Sequence, residues 1–122
     1  MRFLILDDDS DTVDCYRRLF DSMGISCDFF TDSEKAEIAL RSTPYQCVVT
    51  DLMMPGVNGL SLVRRLRDGT YGHFNHETPI IVATSFDNNN ARDALLSFSR
   101  VAVVGKVLTR EQVTDLIREL VG

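Results

Sequence analysis

Four apolar runs in this chain end on residues that can carry charge or donate a hydrogen bond. "RFLIL" (2–6) meets Asp7, Asp8 and Asp9, and "QCVVT" (46–50) meets Asp51. "IIVAT" (80–84) ends on Thr84 and meets Ser85, and "VAVV" (101–104) is followed by Gly105 and Lys106. Carboxylates crowded together repel, and they stay ionised together when a cation sits among them. Oxygen ligands with few histidines suit a hard ion, and Mg²⁺ with retained waters is the natural choice. Lys106 supplies a second positive charge, and Thr84 a hydroxyl. A phosphoryl group on one of the carboxylates would find metal, ammonium and hydroxyl arranged for its oxygens.

Taken singly, each residue has a plainer reading. Asp9 or Ser10 can cap a helix. Asp51 can be an ordinary turn acid ahead of Pro55, Gly56, Asn58 and Gly59. Thr84 can be a strand residue, and Lys106 a solvated lysine. Their joint occurrence at four strand ends is what points to chemistry.

The elements that must gather these residues follow from the periodicity. "RFLIL", "QCVVT", "IIVAT" and "VAVV" are short continuous apolar runs, expected of strands covered on both faces. "ISCDFF" (25–30) alternates and reads as an edge strand. Between the runs lie helical patterns. Val13, Tyr16, Phe20 and Met23 mark the first, stopped by Gly24. Ala36, Ala39 and Leu40 mark the second, with Ser33 as its cap and Pro44 beyond its end. Leu60, Val63 and Leu66 mark the third, capped by Asn58 or Ser61, and a polar connection over 67–79 follows. Ala91, Ala94, Leu95 and Phe98 mark the fourth. Val113, Leu116, Ile117 and Leu120 mark the fifth, with a capping box from Thr109 to Gln112. Strict alternation of five strands and five helices predicts an α/β fold, a doubly wound parallel sheet. In such sheets ligands bind outside the carboxyl ends of the strands, where the charged residues stand.

Composition excludes several classes. The 122 residues suit one domain, taken as 1–122, and a hydrophobic content of 44% supports a packed core. No apolar run approaches the ~20 residues of a membrane span, and "MRFLILDDD" has too short an apolar core for a signal peptide. The chain therefore reads as soluble and cytoplasmic, with no membrane partner. A net charge of −5 argues against direct nucleic-acid binding. The basic run "RRLR" (64–67) reads as a solvated helix face. Cys15, Cys27 and Cys47 are odd in number and read as reduced core residues. His73 and His76 lack cysteine partners and do not read as a zinc site.

With these residues in view, the chain resembles the receiver domain of two-component response regulators over essentially its whole length. The resemblance rests on "LILDDD", "VVTDLMMPGVNGL" around Asp51, "PIIVATS" through Thr84, and Lys106 after "VAVV". It implies a flavodoxin-like (βα)5 fold with strand order 2-1-3-4-5. It implies Asp51 as the phosphoacceptor, with Asp7, Asp8, Asp51 and the main-chain carbonyl of Met53 holding Mg²⁺. Asp8 would be the more direct ligand of the acidic pair. Thr84 and Lys106 would each bond a phosphoryl oxygen. The implied partners are a sensor histidine kinase or histidine phosphotransfer protein and a downstream protein or effector domain. The domain would be a signalling module promoting only its own phosphorylation and dephosphorylation.

The chain departs from the family in places. Val107 stands where a proline, often cis, usually follows the lysine. A cis bond before a residue other than proline costs ~3 kcal/mol, so trans is expected here. Val103 replaces the usual aromatic of strand five, and Gly105 a more typical β-branched residue. With no ring to turn inward, the loop 85–93 and the start of the fourth helix are expected to carry the switch. Met53 and Phe86 take the two places that flank water's approach to the phosphorus. Two other functions compete. One is a pseudo-receiver acting through phosphorylation-independent protein binding, which Val103 and Val107 favour. The other is a metal-dependent phosphoester hydrolase, but Met53 occupies the place of the second aspartate that such enzymes use as acid.

Overall fold

The computed structural model describes residues 2–85 and 89–121. Phe86, which the sequence reading assigns to the water approach, and part of the 85–93 loop lie outside the described residues. The described chain alternates β1 (Arg2–Leu6), α1 (Ser10–Ser22), β2 (Ser26–Phe30), α2 (Ser33–Ser42), β3 (Cys47–Thr50), α3 (Gly59–Asp68), β4 (Ile80–Thr84), α4 (Asn89–Leu96), β5 (Val101–Gly105) and α5 (Arg110–Leu116). A π-helical turn, Ile117–Val121, extends α5. The five strands are parallel and ordered β2-β1-β3-β4-β5, as the resemblance implies.

Side chains alternate between the two faces of the sheet, and each face has its own apolar layer. Leu4, Leu6, Val48, Ile80 and Val82 meet Leu40 of α2, Leu62 and Leu66 of α3 and Leu95 of α4. Phe3, Ile5, Val49, Ile81 and Ala83 meet Tyr16 and Phe20 of α1 and Val113 and Leu116 of α5. The three central strands are buried on both sides, which is why they read as unbroken apolar runs.

Register decides what reaches the site. Leu6 pairs with Thr50, and Thr84 with Gly105. The residues that follow continue the ladder: the Asp51 amide donates to the Leu6 carbonyl at 3.1 Å and the Lys106 amide to the Thr84 carbonyl at 3.0 Å. Asp7, Asp51 and Lys106 are thereby drawn to one edge.

Several local expectations are corrected. Asp32, not Ser33, caps α2, accepting from the Glu34 amide at 2.9 Å. Both side chains are good caps, and the chain uses the earlier one. Cys15 is exposed rather than in the core, because its side of α1 faces solvent. The basic run over 64–67 is not simply solvated: Arg65 pairs with Glu37 at 2.9 Å, and Arg67 donates to the Ser99 and His76 carbonyls. The 67–79 connection holds the buried residues Tyr71, Asn75 and Thr78. Asn75 donates to the Leu40 and Thr43 carbonyls, each at 2.8 Å, and accepts from the Tyr45 amide at 2.7 Å. The Lys106–Val107 peptide bond is cis; the expectation of trans weighed the isolated bond and not the loop that contains it.

Candidate functional site

Asp7 and Asp51 are almost fully buried, at 1% and 7% exposure. Two such carboxylates need compensation, and Lys106 bridges them. Its Nζ lies 2.7 Å from Asp7 Oδ2 and 3.1 Å from Asp51 Oδ2. The Asp9 amide donates to Asp7 Oδ1 at 3.0 Å, and the Leu52 amide to Asp51 Oδ1 at 2.7 Å. Asp8 is exposed, and it brings a carboxylate oxygen within 4.8 Å of oxygens from Asp7 and Asp51.

The charges of this cluster do not cancel. Three carboxylates against one ammonium leave two negative charges when all are ionised. Burial pushes the Asp7 carboxyl up from the usual carboxylate range, against the lowering effect of its bonds to Lys106 and the Asp9 amide. Burial works against the charged form of Lys106, but its bonds to Asp7 and Asp51 prevail and hold its proton more firmly than usual. The ammonium thus stays charged, and the remaining deficit matches one divalent cation. Oxygen-only donors fit Mg²⁺ or another hard ion.

The loop after Asp51 is shaped by a close approach. A Cβ on Gly59 would lie 2.5 Å from the Asp51 carbonyl oxygen and 2.9 Å from Leu52 Cα. Only glycine lets the start of α3 fold back here, and the Gly59 amide donates to the Leu52 carbonyl at 2.9 Å. Asn58 caps α3 through the Ser61 amide, and Gly56 takes a φ of +78°. The loop thus turns tightly past Asp51, with Met53 exposed. A cleft of about 220 Å³ opens beside it, lined by Asp8, Thr31, Asp32, Ser33, Met54 and Pro55.

Of the expected site residues, Asp7, Asp8, Asp51 and Lys106 are brought together. Thr84 ends β4 with its side chain buried, and its carbonyl receives the Lys106 amide. Asp9 is a cap, accepting from the Asp11 amide and the Thr12 hydroxyl, and that hydroxyl holds its carboxyl below the usual range. Sequence reasoning missed the Leu52 amide on Asp51 and the tight Asp7–Lys106 pair. Neither carries a spacing signal. A larger hollow of about 400 Å³, lined by Tyr45, His73, Phe74 and Arg100 among others, shares no residue with the carboxylate cluster.

Known proteins share this fold. The response regulator receiver domain family matches residues 3–118. The transcriptional regulatory protein QseB of Escherichia coli O157:H7 is 34% identical over 95 residues, covering 78% of this chain and 38% of QseB. The chain thus spans less than half the length of that relative. The receiver domain of a Francisella response regulator is 25% identical, with a TM-score of 0.81, covering 98% of this chain and 94% of that one. The receiver domain of a Pseudomonas aeruginosa sensor histidine kinase, solved with magnesium in its active-site cleft, has a TM-score of 0.84 at 18% identity, covering 99% of this chain and 97% of that one. The sheet order, the acidic edge with its bridging lysine and a family match across nearly the whole chain agree: the protein belongs to the response regulator receiver domains of two-component systems.

Proposed function

We propose that this receiver accepts a phosphoryl group on Asp51 in a reaction that requires Mg²⁺. The observation that carries the reading is the bridge of Lys106 across Asp7 and Asp51, with Asp8 close by and two negative charges left over. A carboxylate oxygen of Asp51 attacks the phosphorus of a phosphohistidine, and the phosphorus–nitrogen bond breaks. The bonding pair leaves with the imidazole. Asp7, Asp8, Asp51 and the Met53 carbonyl would hold the metal, which when bound supplies charge neutralisation to the phosphoryl oxygens. Lys106 already lies at Asp51 Oδ2 and needs little movement to reach a phosphoryl oxygen on it. Thr84, at the end of the neighbouring strand, would donate to another. The donor is a sensor histidine kinase or a histidine phosphotransfer protein. A downstream protein or effector domain reads the phosphorylated state.

The test is labelling by acetyl phosphate with and without Mg²⁺. The wild type is expected to gain one acid-stable, base-labile phosphoryl group only with the metal, and Asp51→Asn none. Equal labelling of Asp51→Asn would remove the assignment. The pseudo-receiver reading draws on Val103, which packs half-buried against the α2–α3–α4 side of the sheet with no ring to move. Partner affinity indifferent to acetyl phosphate and to Asp51→Asn would favour it.

A further inference from the structure

Thr50 ends β3 one residue before Asp51 and is 1% exposed. Its neighbours in register, Leu6 on β1 and Val82 on β4, are apolar and buried. Side chains alternate along a strand, so Thr50 turns to the α2–α3–α4 side with Val48. A valine would fill that place with the same shape and no hydroxyl to bury. A buried hydroxyl is costly unless it is bonded.

The Thr50 hydroxyl donates to the Asp51 carbonyl at 3.1 Å. Met54 Sδ lies 3.9 Å from the same hydroxyl oxygen, but a thioether is the weaker acceptor for its single proton. The Asp51 carbonyl and the Leu52 amide belong to one planar peptide unit. That amide donates to Asp51 Oδ1 at 2.7 Å. Any turn of the peptide moves both groups together. The carbonyl is also closed in by Gly59, where a Cβ would lie 2.5 Å from its oxygen.

The Asp51 carboxylate is thus held at both oxygens, Oδ1 by the Leu52 amide and Oδ2 by Lys106 Nζ at 3.1 Å. The first contact is made by the backbone, so whatever fixes that peptide fixes the aim of the carboxylate. We propose that Thr50 is a positioning residue for the phosphoacceptor: its hydroxyl fixes the Asp51–Leu52 peptide, the amide of that peptide holds Oδ1, and Oδ2 is left for Lys106 and the incoming phosphorus. This inference rests on Asp51 being the phosphoacceptor. A nucleophile held in one orientation starts nearer the geometry of in-line attack. Loss of the hydroxyl should therefore slow phosphoryl uptake more than it disturbs the fold.

The test compares wild type, Thr50→Val and Thr50→Ser, all nitrogen-15 labelled. Melting curves first establish that each is folded. In the unphosphorylated wild type the Leu52 amide proton is expected well downfield, as a short bond to a carboxylate requires. In Thr50→Val it is expected to move upfield, and uptake from acetyl phosphate with Mg²⁺ to become about three- to tenfold slower. Thr50→Ser keeps the hydroxyl, loses only a methyl group and is expected to restore both. A merely structural threonine would change the melting temperature and leave the rate and the Leu52 proton alone. A wild-type rate and Leu52 position in Thr50→Val overturn the proposal, and so does a serine variant as slow as the valine one. A wild type that takes up no phosphoryl group defeats the acceptor reading instead, while the Leu52 proton of the unphosphorylated variants still decides whether Thr50 holds the peptide.

Discussion

Two buried polar clusters flank the sheet, and they are built differently. Near the α2–α3 surface, Glu37 accepts from the Tyr71 hydroxyl at 2.7 Å and from Arg65 at 2.9 Å, and the Arg41 guanidinium lies over the Tyr71 ring. One carboxylate meets one guanidinium, and the buried phenol is bonded. At the carboxyl edge of the strands, two buried carboxylates share a single ammonium, and an exposed third lies close by. The first cluster is closed and serves the fold. The second keeps a surplus of negative charge that one divalent cation would balance. What marks the site is therefore imbalance, since buried polarity occurs in both places.

Breaking the closed cluster should cost the most stability. Glu37→Ala leaves the Tyr71 hydroxyl buried and unpaired, at a cost of about 2 kcal/mol. Denaturant unfolding should show that loss, while Mg²⁺ binding stays within a factor of two of wild type. The same cluster limits the pH range. Burial, and then the bond to Glu37, push the Tyr71 hydroxyl above its usual value of 10.0. A group raised on folding contributes stability that is present below its unfolded value and lost as pH rises toward the folded one. Native stability should therefore fall above about pH 10, by up to about 1.4 kcal/mol per pH unit for each such tyrosine. Absorbance at alkaline pH should show tyrosinate appearing together with unfolding. Ionisation of all three tyrosines at pH 10 in the folded protein would contradict this.

Breaking the open cluster should do the reverse. Asp8→Ala is expected to weaken Mg²⁺ binding about tenfold or more. Stability without metal should hold or rise slightly, because a like charge near Asp7 and Asp51 is gone. Calorimetric titration with Mg²⁺ beside a melting curve reads both. Unchanged affinity in Asp8→Ala would mean that the wrong carboxylate is assigned to the metal.

The fold was legible in the sequence where local pattern and tertiary role coincide. "IIVAT" is β4 residue for residue, since a strand covered on both faces must be apolar throughout. The Thr109–Gln112 capping box formed as read, because both partners are local. Cap choice slipped by one at Asp32 and Ser33, which offer nearly equivalent acceptors. The 67–79 connection was illegible as structure: Asn75 is buried because the Leu40, Thr43 and Tyr45 backbones come to it, and no spacing announces that. At the site, the residue types were readable at the strand ends, but register brings them together. The grip of Asp7 on Lys106 and the burial of Tyr16 depend on how α1 and the segment after β5 pack. Those are tertiary facts.

The smallest expected effect concerns how long the open cluster keeps its phosphoryl group. Hydrolysis requires a water in line with the bond between Asp51 and phosphorus. Met53 lies on the loop two residues after Asp51 and is 56% exposed. A thioether neither orients nor deprotonates a water. Phe86, two residues after Thr84, is placed at the same approach by sequence alone, and its ring would shield without activating. The pair of changes Met53→Asn and Phe86→Glu introduces an amide and a carboxylate that can hold the water. Dephosphorylation, followed in excess Mg²⁺ after removal of acetyl phosphate, should become several-fold faster. That is about 1 kcal/mol in the barrier, well below the cost of opening the Glu37 cluster. Equal or slower loss of the phosphoryl group in the double variant would show that access of water to Asp51 is controlled elsewhere.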